Sequence, residues 1–74
     1  MTIGKTLKKL RLRNSLTQKQ VAEYLGITYQ AVSGWEHDKA LPDIVYLVPL
    51  ARLYGITVDV LLRGEAEKEQ EEVL

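Results

Sequence analysis

The sequence contains no cysteine and only one histidine, so the commonest metal ligands and covalent cross-links are missing. Without cysteine the chain can form neither a disulfide nor a thiolate metal site. Its two serines lie outside any nucleophile motif, and its five glycines are too scattered to form a phosphate-binding loop. We therefore expect no enzyme activity, no catalytic residue, no metal and no cofactor.

Long hydrophobic segments are also missing. The apolar run at 44–51 contains Pro49 and is far shorter than the ~20 residues that a membrane span needs. The first five residues do not form the apolar stretch of a signal peptide. The sequence therefore predicts a cytoplasmic protein with no membrane segment.

The length of 74 residues corresponds to one small domain, and an apolar fraction of 46% is ordinary for a globular protein. The zero net charge hides an uneven distribution. Residues 1–64 carry nine Lys/Arg and five Asp/Glu, whereas residues 65–74 carry one lysine and five glutamates. We predict a basic domain at 1–64, which suits a polyanionic partner, and an acidic tail at 65–74 that is a frayed helix or disordered.

Apolar spacing and a capping residue predict a first helix near the start of the chain. Ile3, Leu7 and Leu10 fall on one helical face, and Thr2 can cap the first turn. No segment alternates with period two over a useful length, so we predict no strands.

The region 17–37 has the local pattern of two short helices joined by a tight turn. Its helix starts and its turn carry residues suited to those positions, namely the capping box Thr17 and Gln20, the cap Thr28 and the turn residue Gly26. These signals predict helices over 18–25 and 29–37. Two short helices that cross at such a turn form a helix-turn-helix.

A fourth helix is predicted after Asp43, which can cap it. Its inward-facing residues are predicted to be Ile44, Leu47, Leu50, Ala51 and Tyr54. Pro49 lacks an N–H and clashes with the preceding turn, so either this helix kinks or a separate turn at 44–47 precedes it. We favour the kinked helix, and we predict a short fifth helix over 58–62.

The order and spacing of several motifs resemble the phage repressor/Cro family of helix-turn-helix regulators, also called the xenobiotic-response-element family. The resemblance covers about 3–64, and its matching stretches are Thr17-Gln18, Val21-Ala22, Leu25-Gly26-Ile27-Thr28, Val32-Ser33, Trp35-Glu36, Lys39, Pro42, Val58-Asp59 and Leu61-Leu62. It implies an all-α fold, a compact five-helix lambda-repressor-like DNA-binding domain. In such a domain the third helix enters the DNA major groove.

The resemblance also implies which residues contact DNA. The residues expected to contact bases are Thr28, Tyr29, Gln30, Ser33 and Gly34, and those expected to contact phosphates are Gln18, Lys19, His37 and Lys39. Gln30 can bond to N6 and N7 of adenine, and a phosphate at Gln18 would also meet the positive end of a helix. Without the family, ordinary solvent-exposed residues are the favoured explanation of the same side chains.

One contact implied by the resemblance is structural. The family often joins an arginine of the first helix to a glutamate of the recognition helix, and Arg11 and Glu36 stand at the matching positions. Ser15 and Asp38 stand where the family usually has glycine. Aspartate tolerates a left-handed backbone better than most residues, but Asp38 also places an acid near the expected DNA surface.

The resemblance implies a twofold dimer on a palindromic operator, with half-sites ~34 Å apart. We predict that the homodimer contact involves Val58, Val60 and Leu61, because the chain has more apolar residues than a monomer core needs. The expected function is sequence-specific binding of double-stranded DNA by a nucleoid-associated repressor, with no small-molecule ligand evident. The alternative is a protein-interaction module on the same helical fold, such as an antitoxin. Lys19 and Lys39 placed around the third helix would favour DNA.

Overall fold

Five α-helices account for most of residues 2–64, the part of the chain that the computed structural model describes. The helices are α1 (Ile3–Arg13), α2 (Gln18–Leu25), α3 (Tyr29–Glu36), α4 (Ile44–Tyr54) and α5 (Val58–Arg63). No strand occurs in this described part, so the prediction of an all-α, five-helix fold is confirmed. The predicted acidic tail lies outside the described residues.

The helix starts are fixed by side chains that accept backbone N–H groups of the first turn. The Thr17 hydroxyl accepts from the Gln20 N–H at 3.0 Å, and the Gln20 side chain accepts from the Thr17 N–H at 2.8 Å, which completes the capping box. The caps of the other four helices are Thr2, Thr28, Asp43 and Thr57. α2 ends at Gly26, whose φ of +74° is left-handed, and this turn directs α3 across α2.

Two helix ends differ by one residue from the sequence prediction. α3 ends at Glu36, and His37 is its C-cap rather than its last helical residue. α5 continues to Arg63. None of the helices within residues 2–64 is long and apolar enough to cross a membrane.

α4 is a single helix that runs through Pro49, so a separate turn at 44–47 does not form. The prediction that Ile44 faces inward is wrong, because its side chain is 76% exposed. Side chains of a helix tilt toward its N-terminus, and Ile44 is the first residue of α4. It therefore projects beyond the core, which α4 reaches through Leu50, Ala51 and Tyr54.

Side chains from all five helices form one hydrophobic core. The buried members are Leu7, Leu10, Val21, Ala22, Val32, Trp35, Leu50, Tyr54 and Leu61. Trp35 places its ring 5.6 Å from that of Tyr46, so α3 and α4 are joined at this side of the core. α3 is thus held by its inward face, and its opposite face is left for the surface.

α1 also contacts the end of α3 through a glycine. The Gly4 N–H donates to the Asp38 carboxylate at 3.1 Å, and a Cβ at Gly4 would lie 2.5 Å from the Trp35 carbonyl oxygen. Asp38 has a φ of +59°, and Ser15 has a φ of +57°. Both residues that stand where the family usually has glycine therefore adopt the backbone conformation that glycine favours.

Buried Tyr54 predicts a loss of stability at alkaline pH. Burial, together with the negative charge of Glu36, raises the pKa of Tyr54 from the ordinary value of 10.0 to about 12. The unfolded chain therefore loses this proton at lower pH than the folded domain does. The stability contributed by the protonated phenol is complete below pH ~10 and is lost as the pH rises toward ~12.

We expect this loss to be roughly 2 kcal/mol in the free energy of unfolding, measured by urea unfolding across that pH window. The variant Tyr54→Phe should remove this part of the alkaline dependence. Tyr24 is 53% exposed and provides the matched control, since Tyr24→Phe should leave the dependence unchanged. An unchanged alkaline loss in Tyr54→Phe would assign the loss to other groups.

Candidate nucleic-acid interface

The surface around α3 contains two adjoining hollows. The first, which we call the α3 hollow, has a volume of about 250 Å³ and is lined by Tyr29, Gln30, Ser33, Gly34, His37 and Lys39. The second, the α2 hollow, has a volume of about 470 Å³ and is lined by Arg11, Thr17, Gln18, Lys19 and Tyr29. Tyr29 borders both. The two hollows bring together all the residues expected to contact DNA except Thr28, which is the N-cap of α3.

Side chains in the α3 hollow are available to a partner. Tyr29 is 53% exposed and Gln30 is also exposed, whereas Ser33 and Gly34 are half-buried one turn further along. A Cβ at Gly34 would meet nothing within 4 Å. The glycine therefore leaves open space on this face of α3 rather than relieving a contact inside the domain.

The α2 hollow lies at the N-terminus of α2, where backbone N–H groups and the helix dipole favour an anion. Gln18 donates from its side-chain amide to the Glu36 carboxylate at 3.0 Å. That amide group carries a second N–H, which is able to donate to a phosphate oxygen. Lys19 is exposed beside it. Gln18 is thus anchored to α3 rather than extended freely into solvent.

The structure brings Arg11 and Glu36 together as a bidentate ion pair. Arg11 Nε donates to Glu36 Oε2 at 2.7 Å and Nη2 donates to Oε1 at 3.0 Å, while Nη1 donates to the Leu16 carbonyl at 3.0 Å. The Glu36 side chain is 1% exposed. Its hydrogen bonds raise the pKa of Arg11, against the opposing effect of burial. Glu36 therefore connects α1, α2 and α3 through two donors.

His37 and Ser33 form a second polar contact in the α3 hollow. His37 Nδ1 lies 2.8 Å from the Ser33 carbonyl oxygen and 3.3 Å from the Ser33 hydroxyl oxygen. A carbonyl oxygen only accepts, so Nδ1 carries the hydrogen. In the neutral ring Nε2 then carries a lone pair, and a contact with a phosphate requires the doubly protonated ring.

The charges around α3 are mainly positive. Lys19 lies in the α2 hollow and Lys39 lies in the α3 hollow, so a lysine stands on each side of Tyr29. Asp38, the acid expected to oppose DNA, uses its carboxylate to accept the Gly4 N–H at the start of α1. The positive end of that helix dipole partly offsets its charge.

The predicted dimer contact needs a correction. Leu61 is 0% exposed and belongs to the core, so its assignment to the dimer surface is wrong. Leu61 packs with buried residues of the other four helices, so it lies on the inward face of α5. Val58 and Val60 are half-buried and remain candidates. Among the described residues, the three most exposed large apolar side chains lie elsewhere, at Leu41, Ile44 and Val45.

Sequence reasoning missed two features of the site. Thr17 and Arg11 line the α2 hollow, although the sequence indicated only a cap and a structural ion pair. The contact between Asp38 and Gly4 was also missed. The sequence signal for Asp38 was its place in a turn that favours a left-handed residue, and no pattern pointed from there to Gly4.

Comparison with known proteins identifies the family. Residues 7–61 match the Helix-turn-helix family, which is more than half of the chain. The SPbeta prophage-derived uncharacterized HTH-type transcriptional regulator YonR of Bacillus subtilis (strain 168) is 38% identical over 72 residues, which is 96% of this chain and 67% of that protein. The HTH-type transcriptional activator BcrR of Enterococcus faecalis is 37% identical over 65 residues, which is 88% of this chain and 32% of that protein. The chain thus spans about two thirds of the first relative and about one third of the second.

A solved structure has the same fold. The P22 c2 repressor protein, crystallised in complex with a synthetic operator, superposes with a TM-score of 0.81 at 23% sequence identity, covering 86% of this chain and 97% of that one. The five-helix repressor-like fold expected from the resemblance is confirmed. The relatives are transcriptional regulators rather than enzymes, as predicted. This chain belongs to the Helix-turn-helix family of transcriptional regulators.

Proposed function

We propose that the chain binds double-stranded DNA in a sequence-specific way and regulates transcription, with α3 as the reading helix. The observation that carries this proposal is the clustering of polar and basic side chains in the two hollows around α3. A B-DNA major groove admits one α-helix, and bases are distinguished at its edges. The P22 c2 repressor, which shares the fold, was crystallised with an operator, and this supports the same class of partner.

Base reading is assigned to the first turns of α3. Gln30 is exposed and bonds to N6 and N7 of an adenine, while Tyr29 contacts a thymine methyl group or a phosphate. Thr28 and Ser33 supply hydroxyl groups at the two ends of this surface. Gly34 lets the DNA approach the helix backbone closely.

Phosphate binding is assigned to the residues that flank α3. Gln18 and Lys19 hold one phosphate at the N-terminus of α2, where Glu36 orients the Gln18 amide. Lys39 holds a second phosphate beyond the end of α3, with His37 adding a contact when its ring is doubly protonated. These contacts fix the position of α3 in the groove without selecting sequence.

The direction of regulation, the form of the operator and the oligomeric state are also part of this proposal. We assign the chain as a cytoplasmic repressor that occupies a palindromic operator as a homodimer, with Val58 and Val60 in the dimer contact. A palindrome mirrors the twofold axis of such a dimer. An activator role is the opposite possibility, and one relative is named as an activator. The position of the operator relative to the promoter distinguishes a repressor from an activator.

Selection from a pool of random double-stranded DNA at near-physiological salt tests the proposal. Enrichment of a palindrome is the expected result, because each protomer reads one half-site. Failure of a folded protein to enrich any sequence would contradict it. That outcome would favour the protein-interaction alternative, for which the exposed apolar side chains Leu41, Ile44, Val45 and Val48 offer a surface.

The variant Gln30→Ala should weaken binding to the selected operator by roughly 5- to 150-fold, the value of ~1–3 kcal/mol for a bidentate base contact. Its melting temperature should stay the same, because Gln30 is exposed. Lys39→Ala should instead weaken binding to all sequences and reduce the salt dependence by about one phosphate. Arg52 lies in a groove between α2 and α4 and serves as the cation control, since Arg52→Ala should bind normally. Normal operator binding by Gln30→Ala would remove Gln30 from the base-reading set.

A further inference from the structure

The single histidine of the chain lies on the surface that is proposed to bind DNA. His37 is exposed, and it is the C-cap of α3. A histidine ordinarily gains or loses its proton between pH ~5 and ~8, and no other residue type that lines the α3 hollow does so. The charge of the α3 hollow therefore changes in this range through His37.

One nitrogen of this ring is held by α3 itself. His37 Nδ1 lies 2.8 Å from the Ser33 carbonyl oxygen, which only accepts, so Nδ1 carries a hydrogen in both the neutral and the doubly protonated ring. The other neutral tautomer would turn a lone pair of Nδ1 toward that oxygen. Nε2 is thus the nitrogen left for a partner in the α3 hollow. It carries a lone pair in the neutral ring and a hydrogen in the doubly protonated ring.

Positive charges around the ring oppose its protonation in the free protein. Lys39 lines the same hollow, and Lys19 of α2 lies in the adjoining hollow. The C-cap position acts the other way, because the carbonyl end of a helix favours a cation. A phosphate bound beside Lys39 and His37 offsets the repulsion and accepts a hydrogen bond from Nε2. The binding of a phosphate and the binding of the proton therefore favour each other.

The two acids next to His37 in the sequence are directed toward α1. Glu36 is buried and paired with Arg11, and Asp38 accepts the Gly4 N–H at the start of α1. In the described part of the chain, α4 and α5 contribute no residue to the α3 hollow. The position beside Nε2 is thus left for the phosphate of a bound DNA.

We infer that operator binding takes up a proton at His37, so that the affinity for the operator falls as the pH rises from ~6 to ~8. In the neutral ring the lone pair of Nε2 repels a phosphate oxygen. In the doubly protonated ring Nε2 donates a charge-assisted hydrogen bond to it. This inference rests on the proposed function, in which His37 contacts a phosphate, and it adds regulation of that contact by pH.

The state of the ring can be tested before any DNA is bound. Long-range ¹H–¹⁵N correlation spectra of the free protein at pH ~8, where a histidine is largely neutral, distinguish the two ring tautomers. We expect the Nδ1–H tautomer for His37. The Nε2–H tautomer would overturn the inference, because the neutral ring could then donate to a phosphate without taking up a proton.

The uptake of the proton is tested with the operator selected by the wild-type protein. Its dissociation constant is measured at constant salt at pH ~6, ~7 and ~8, the range in which a histidine titrates. We expect the affinity to fall over this range by roughly two- to fivefold for each half-site, the effect of one solvent-exposed charge pair.

Two variants assign the proton to His37, and both should stay folded because this side chain is exposed. His37→Gln keeps a side-chain N–H at every pH, so its affinity should not change with pH and should exceed that of the wild type at pH ~8. His37→Phe has no donor at any pH, so it should bind as weakly at pH ~6 as at pH ~8. Lys19→Ala is the matched control, a phosphate contact in the other hollow. It should weaken binding at every pH and keep the dependence on pH.

The outcomes separate this inference from the proposed function. If the selection enriches no sequence, the proposed function fails and the inference fails with it. If an operator is found but binds equally well at pH ~6 and pH ~8, only the inference is overturned. The inference alone is also overturned if the loss of affinity with rising pH persists in His37→Gln, because groups other than His37 then take up the proton.

Discussion

The variant Arg11→Ala should lose about 3–5 kcal/mol in the free energy of unfolding, because it leaves the buried Glu36 carboxylate without its cation. Glu36 has a side chain that is 1% exposed and accepts two hydrogen bonds from Arg11, at 2.7 and 3.0 Å. A domain of this size rarely derives more than ~3–5 kcal/mol from its core. The variant should therefore be largely unfolded at physiological temperature, as measured by circular dichroism on heating.

A second ion pair provides the matched control. Arg63 and Asp59 approach to 3.1 Å, a distance close to that in the buried pair, but their side chains are 45% and 73% exposed. Solvent screens such a pair, so Asp59→Asn should change stability by no more than about 0.5 kcal/mol. Equal losses in Arg11→Ala and Asp59→Asn would contradict the role given to burial.

The double variant Arg11→Met, Glu36→Leu separates the ion pair itself from the cost of breaking it. Replacing both partners of a buried pair by apolar residues is often neutral or stabilising. We expect the double variant to be more stable than Arg11→Ala, although the Leu16 carbonyl and the Gln18 amide both lose a partner. Its DNA affinity should nevertheless fall, since Gln18 is no longer oriented by Glu36.

Local signals explain why the helices could be predicted from the sequence. The capping box of Thr17 and Gln20 and the left-handed turn at Gly26 involve residues within a few positions of each other. Their energetics depend little on the rest of the chain, so α2 begins and ends where the pattern predicts. The same holds for Thr28 at the start of α3.

Features that depend on how helices pack were predicted less well. Leu61 could be placed on α5, but which face of a six-residue helix is buried depends on neighbouring α1 and α4. Ile44 fits the apolar spacing of α4 and is nonetheless exposed, because the core does not extend to the first turn. The hydrogen bonds of His37 to Ser33 depend on a side-chain conformation at the end of α3, which periodicity does not specify.

In the candidate site, too, the positions of residues along the chain were predicted, whereas most of the contacts between helices were not. The resemblance supplied the residues of the two hollows except Thr17 and Arg11, since motif positions carry over along the chain. It also implied the pair of Arg11 and Glu36, but it did not indicate that Gln18 donates to the same carboxylate. One buried carboxylate therefore serves both the stability of the domain and the orientation of a residue assigned to phosphate binding.

Gly4→Ala should destabilise the domain even though alanine is normally the better residue in a helix. A Cβ at Gly4 would lie 2.5 Å from the Trp35 carbonyl oxygen, 2.8 Å from the Glu36 carbonyl oxygen and 2.7 Å from the Asp38 carboxylate. Two of these atoms belong to the backbone at the end of α3 and cannot move aside alone. Overpacking of this kind costs about 1–3 kcal/mol, which corresponds to roughly 5–20 °C in the melting temperature of a domain this small.

Gly34→Ala is the matched control on α3, where a Cβ would meet nothing within 4 Å. It should raise the free energy of unfolding by about 0.5–1 kcal/mol, the usual gain on replacing glycine inside a helix. Because Gly34 lines the α3 hollow, the same change should weaken operator binding. The two variants thus have opposite effects on stability, as measured by urea unfolding. A Gly4→Ala protein at least as stable as the wild type would contradict this prediction. It would show that α1 can shift away from α3 at little cost, and that the close approach at Gly4 does not hold α3 in place.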